Sequence, residues 1–136
     1  MGSINGYSVL VTGGGSGIGE AAAAKLAADG ANVMICGRTE EKLIAAVERI
    51  KARAADGTTV AHVVADVTDE DSVQSAVATA TELTGRLDGL FACAGGSTGV
   101  GPLATSDVET IRSTMELNYI GPFLCIKHGG TQMARQ

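Results

Sequence analysis

Tryptophan is absent from this chain, and phenylalanine and tyrosine contribute two residues each. A core without large rings must be filled by Val, Ile, Leu and Ala. Cysteine is sparse and odd in number, at positions 36, 93 and 125, with no CxxC pair. That excludes an even disulfide framework and points to a reducing cytoplasm. No run of Lys or Arg occurs and the net charge is −5. Nucleic acid, which requires clustered cations, is therefore excluded as a partner, leaving small anions or protein. No segment is apolar over the length needed to span a bilayer, and the first residues lack the basic-then-apolar order of a signal peptide. A soluble protein without a membrane partner is expected. His62 and His128 stand alone, with no ligand at metal spacing, so no metal is expected either.

What is present is 45% apolar and 18% charged over 136 residues, the composition of one globular domain spanning 1–136. Nineteen glycines dominate its punctuation. Five of them fall in Thr12-Gly13-Gly14-Gly15-Ser16-Gly17-Ile18-Gly19, between an apolar run ending at Val11 and the helix-forming Glu20-Ala21-Ala22-Ala23-Ala24-Lys25-Leu26. A strand ends there and a helix begins. Glycines allow the sharp reversal and bring bare backbone N–H groups against a pyrophosphate, which the positive end of the helix also favours. A second strand ends near Gly37-Arg38, about 20 residues on, where a dinucleotide fold reads the ribose.

Along the chain, Ser8–Val11 reads as the first strand. The first helix runs to about Asp29 with Ile18, Ala22 and Leu26 at four-residue spacing, and Gly30 stops it. The second strand is Asn32–Cys36. Thr39 is the expected N-cap of a helix reaching about Ala55, with Leu43, Val47 and Ile50 on its buried face. The third strand is 59–65. Thr68-Asp69-Glu70-Asp71 has the form of a capping box opening a helix with Val73, Val77 and Ala80 inward. The fourth strand is 87–93, followed by a Gly/Ser/Thr-rich loop to Pro102. Ser106-Asp107-Val108-Glu109 is a second capping box, and Val108, Ile111, Met115 and Asn118 fall on one stripe, which turns Asn118 inward. This alternation predicts an α/β fold, a Rossmann-like doubly wound parallel sheet of four strands in the order 3-2-1-4.

The spacing Thr-Gly-x-x-x-Gly-x-Gly, with Asp66-Val67 after strand three, Leu87-Asp88-Gly89-Leu90 leading into strand four, Cys93-Ala94-Gly95 closing it and Asn118-Tyr119-Ile120-Gly121-Pro122-Phe123 beyond, resembles the short-chain dehydrogenase/reductase family. The resemblance covers the N-terminal half of the family's pattern. It implies a nicotinamide dinucleotide held by Thr12, Gly13, Gly15, Ser16, Gly17, Ile18, Gly19, Arg38, Asp66, Val67, Ala94 and Gly95. Gly37 stands where an NAD-preferring relative would carry an acid, and Arg38 can grip a 2′-phosphate, so NADP is favoured over NAD. The family's other basic position, inside the glycine loop, is empty. Asp66 has two readings, as a cap at the strand end or as acceptor for the adenine amino group. Cys93 replaces the family's usual Asn and reads as a small buried hydrophobe.

Asn118 also has two readings. An amide on an apolar helical stripe must find partners, so a structural hydrogen bond is one. Pro122 lies four residues on and lacks an N–H, which deprives the Asn118 carbonyl of its helical donor. The resemblance makes that carbonyl the anchor of a water in a proton relay, the one catalytic position in this stretch. The family's Ser and Tyr-x-x-x-Lys find no match: Tyr7 and Tyr119 are followed four residues on by Val11 and Phe123. The expectation is the cofactor-binding half of an NADP-dependent oxidoreductase interconverting a small-molecule carbonyl and a secondary alcohol. It is expected to be truncated before strand five, inactive alone, and a homo-oligomer when complete. A non-enzymatic dinucleotide-binding module and a structural subunit are the competing readings. The Gly14-x-Ser16-x context does not make a hydrolase elbow, because Ser16 lies in the phosphate loop.

Overall fold

The computed structural model describes residues 3–136. Short strands and helices alternate as the hydrophobic pattern requires. They are β1 (Ser8–Thr12), α1 (Gly17–Ala28), β2 (Asn32–Gly37), α2 (Glu40–Lys51), β3 (Val60–Val64), α3 (Glu70–Glu82) and β4 (Gly89–Ala92). A 3₁₀ turn (Leu103–Thr105) leads into α4 (Val108–Met115), a π-helical segment (Glu116–Ile120) and α5 (Gly121–Ala134). The four strands are all parallel in the order β3-β2-β1-β4, as the alternation predicts. Consecutive residues of β1 divide between two cores because strand side chains alternate. Val9 and Val11 join Ala23, Ala27, Leu43 and Ile50 beneath α1 and α2, while Leu10 joins Met34, Val73, Val77, Leu87 and Leu124 beneath α3 and α5. Among the described residues no helix is long and apolar enough to cross a membrane.

The chain winds outward from β1 through β2 to β3, then returns to place β4 on the other side of β1. Such a reversal opens a crevice beyond the C-terminal ends of the central strands. Thr12 ends β1 opposite Cys36 of β2 and Ala92 of β4, so the glycine loop starts at that crevice.

Several expectations are corrected. On α1 the buried residues are Gly19, Ala23, Ala24 and Ala27, and Ile18 is 75% exposed. Close approach to the sheet is made through the small side chains, and of the spaced trio Leu26 packs on the core while Ile18 does not. The helix caps shift by one residue. Asp69, not Thr68, caps α3, accepting from the N–H groups of Asp71 and Ser72. Asp107, not Ser106, caps α4, accepting from Thr110 N–H. A carboxylate outcompetes a neighbouring hydroxyl for these donors because its hydrogen bonds are charge-assisted. Thr39 sits at the N-cap of α2, but its side chain makes no cap hydrogen bond. The helix ends at Lys51, short of Ala55.

The largest departure lies on α4. Val108, Ile111 and Met115 are 67%, 49% and 51% exposed, and Asn118 is also exposed. The helix touches the preceding loop through hydroxyls instead: Thr98 Oγ1 lies 2.6 Å from Thr114 Oγ1 and accepts from Ser113 Oγ at 3.0 Å. With these polar contacts on the loop side, the apolar stripe is turned outward.

Candidate cofactor site

Two loops meet at the switch point and are tied by one hydroxyl. Thr12 is 2% exposed, and its Oγ1 accepts hydrogen bonds from Cys93 N and Ala94 N, both at 3.1 Å. The end of β4 is thereby pinned to the end of β1. Gly13, at φ 68°, then passes so near this junction that a Cβ on it would lie 2.9 Å from Ala94 Cα. Gly19 is pressed against the Gly13 carbonyl, with no room for a Cβ. The loop is held to β2 as well, since Gly14 N–H donates to the Cys36 carbonyl at 3.2 Å. Only glycine allows these close approaches.

The loop delivers the N-terminus of α1 to the crevice. Ser16 is the N-cap, in extended conformation, and its side chain makes no cap hydrogen bond. The first-turn N–H groups are left for an outside acceptor, which the helix dipole prefers to be anionic. The cleft in front of them, about 190 Å³, is lined by Gly13, Gly15, Ser16, Arg38, Asp66, Val67, Ala94 and Gly95 among the residues the sequence singled out. Thr12, Gly17, Ile18, Gly19 and Asn118 lie outside the lining. Thr12 and Gly19 shape the loop from behind, while Ile18 faces solvent.

Asp66 closes the far end. Its Oδ1 accepts from Thr68 N at 2.9 Å and Thr68 Oγ1 at 2.7 Å. These bonds, backbone first, hold its carboxyl below the ordinary range, and the nearby Arg38 charge adds to them. The capping reading of Asp66 is thus realised through one oxygen. Val67 is buried beside it, and Gly121 at the start of α5 packs on Val67 so closely that a Cβ would stand 2.8 Å from Val67 Cγ2.

Asn118 does not point into the core. Its Oδ1 accepts from Gly96 N at 2.9 Å, and its Nδ2 donates to Gly96 O at 2.6 Å and Thr114 O at 2.9 Å. The amide therefore fastens the loop after β4 to the helix, behind Gly95. A Cβ on Gly95 would stand 2.8 Å from Asn118 Oδ1. At this position the helix widens from α to π, one turn before Pro122.

Sequence reasoning missed Lys42 and Leu117 as lining residues and read Thr39 and Leu43 only as cap and core. For Lys42 a signal was available, since a cation in the first turn of a helix opposes the dipole. The cysteines behave as expected of unpaired thiols. All three are free, and burial pushes Cys36 up to about 12 and Cys125 up to about 11, so neither is ionised near neutrality. Cys93 is half-buried.

A backbone stripped of Cβ atoms at Gly13 and Gly95, an uncapped helix N-terminus and Arg38 in one cleft fit the phosphates and ribose of a dinucleotide. Comparison with known proteins agrees. The chain is 38% identical over 128 residues to 2,5-dichloro-2,5-cyclohexadiene-1,4-diol dehydrogenase of Sphingobium indicum, an alignment covering 94% of this chain and 49% of that protein. A short-chain type dehydrogenase/reductase from Mycobacterium ulcerans superposes with TM-score 0.93 at 44% identity, over 98% of this chain and 48% of that one. NAD+-bound xylitol dehydrogenase superposes with TM-score 0.92 at 29% identity, over 99% of this chain and 51% of that one. The chain spans about half the length of the relatives it matches. The sequence profile described as short chain dehydrogenase matches residues 7–136, and with the sheet order and the glycine cleft in agreement, the chain belongs to that family.

Proposed function

We propose that the whole protein is an NADP-dependent oxidoreductase interconverting a small-molecule carbonyl and a secondary alcohol, with residues 1–136 as its dinucleotide-binding part. One observation carries the cofactor choice. Arg38 lines the cleft beside Gly37 without an ion-pair partner among the described residues, and no carboxylate occupies the strand end that would hold the ribose hydroxyls of NAD. A guanidinium left unpaired in this position suits a 2′-phosphate.

The nicotinamide cofactor would supply or accept hydride. The glycine loop and the first turn of α1 would hold its pyrophosphate, Asp66 and Val67 the adenine, and Ala94-Gly95 the ribose. Asn118 has two parts in this reading. Its side chain fixes the loop under the ribose, and its carbonyl, with Pro122 four residues on lacking an N–H to offer, would hold a water for proton transfer. Hydride transfer is a property of the whole protein, because neither tyrosine here is followed by a lysine four residues on. Tyr119 of the π segment and Phe123 and Ile126 of α5, each more than half exposed, support a homo-oligomer. Three free cysteines support a cytoplasmic setting.

Titration with NADP and NAD tests the proposal. NADP is expected to bind at least about tenfold more tightly, and Arg38→Ala to reduce the difference sharply. Equal affinities in the unmodified protein, or tighter NAD, would overturn the NADP assignment. Binding without NADPH-dependent carbonyl reduction by the whole protein would instead favour the non-enzymatic module.

A further inference from the structure

We propose that Lys42 is a second cation for the 2′-phosphate, acting with Arg38 and the hydroxyls of Ser16 and Thr39. The inference rests on the NADP reading above. Lys42 lines the same cleft as those three residues. Its Cβ is 3.7 Å from where a Cβ on Gly15 would stand, so the first turn of α2 lies directly across from the glycine loop. That loop, from Thr12 to Gly19, carries no basic residue of its own.

Three further observations agree. Lys42 is the third residue of α2, where the helix dipole disfavours a cation and favours the acids that precede it. A residue placed against local electrostatics calls for a compensating partner. Arg38, Lys42, Arg53, Arg112 and Arg135 form no ion pair among the described residues, and of these only Arg38 and Lys42 line the cleft. Asp66 is the one carboxylate in the lining, near Arg38 with an oxygen engaged by Thr68, while Glu40 faces His62 at 3.7 Å and neither Glu40 nor Glu41 lines the cleft. Finally, Ser16 and Thr39 both occupy N-cap positions without spending their hydroxyls on the cap. Such residues ordinarily do so. Two cations and two uncommitted hydroxyls thus line one cleft, in a chain whose net charge of −5 otherwise repels a dianion.

The test is calorimetric titration of NADP, NAD and adenosine 2′,5′-bisphosphate into the unmodified protein and its Lys42→Ala, Lys42→Arg and Arg38→Ala variants. Lys42→Ala is expected to weaken NADP and the bisphosphate about fivefold to tenfold, the range for an exposed charge-assisted contact. NAD affinity should not change, which also reports that the fold is intact, and Lys42→Arg should retain most of the NADP affinity. Lys42→Ala with unchanged NADP affinity, or with NAD weakened equally, would overturn the inference. If NADP preference persists and collapses only in Arg38→Ala, this inference fails and the NADP reading stands. If the unmodified protein shows no preference, both fail.

Discussion

Thr12 is the side chain through which the two cofactor loops depend on each other, and replacing it by valine tests that directly. Valine preserves the shape and the strand preference of threonine while deleting Oγ1, the acceptor for Cys93 N–H and Ala94 N–H. A stranded buried donor costs about 1–3 kcal/mol. Cys93 and Ala94 are half-buried rather than sealed, so water recovers part of that, and the pair should cost about 2–3 kcal/mol together. In a chain of this size that lowers the melting temperature by roughly 6–12 °C. The cofactor should also bind less tightly, because Ala94 and Gly95 line the cleft and would lose their anchor. Urea denaturation followed by circular dichroism, with parallel dinucleotide titration, measures both effects. Thr12→Ser, which keeps the hydroxyl, should restore most of the stability. A Thr12→Val protein that unfolds at the same urea concentration as the unmodified one would refute the assignment of this hydroxyl as the clasp.

Asn118→Ala should release the loop after β4, costing about 1–2 kcal/mol and accelerating hydrogen exchange at Gly96 N–H; unchanged protection there would show that the Asn118–Gly96 pair does not hold the loop. Acid should weaken the fold in a defined window. Asp66, Asp107 and Glu20 have carboxyls held below their ordinary values, by Thr68, Thr110 and Arg49 respectively. Depressed folded values mean that their stabilisation is complete above the unfolded values near 4 and is lost as pH falls through the lowered ones. Thermal melts should therefore be flat from about pH 7 to 5 and decline below about pH 4, with Asp66→Asn removing part of the decline; equal melting temperatures at pH 7 and pH 3.5 would contradict this.

Much of the architecture was legible because it rests on signals local in sequence. Apolar runs separated by helical patterns placed the four strands to within two residues, and the glycine spacing placed the crevice at the end of β1. The inward residues of α2 and α3, Leu43, Val47 and Ile50 and then Val73, Val77 and Ala80, were likewise visible in the spacing. What was not legible depended on packing distance and on competition. Periodicity favours large apolar residues, so on α1 it gives Ile18 an inward place that the structure denies, although Leu26 does pack on the core. Thr68 and Asp69 are both good caps by type, and only geometry decided between them. α4 meets the preceding loop through its own Ser113 and Thr114 against Thr98, a hydroxyl contact that no hydrophobic pattern announces. Lys42 was passed over because a lysine on an exposed helix face is ordinarily mere solvation, and its meaning comes only from Gly15 lying opposite.

The π segment between α4 and α5 has a consequence for how one rod serves two masters. An inserted residue advances the helical phase by about 100°. Leu124, Cys125 and Gly129 of α5 are thereby brought onto the sheet, while Ile111 and Met115 of α4 stay turned to solvent, with no break in the rod between them. The buried half and the presented half of the helix are thus out of step, and the five residues Glu116–Ile120 are the gearing between them. Asn118 sits in the middle of that gearing, so the residue that holds the cofactor loop is also where the helix changes the face it shows to the rest of the molecule.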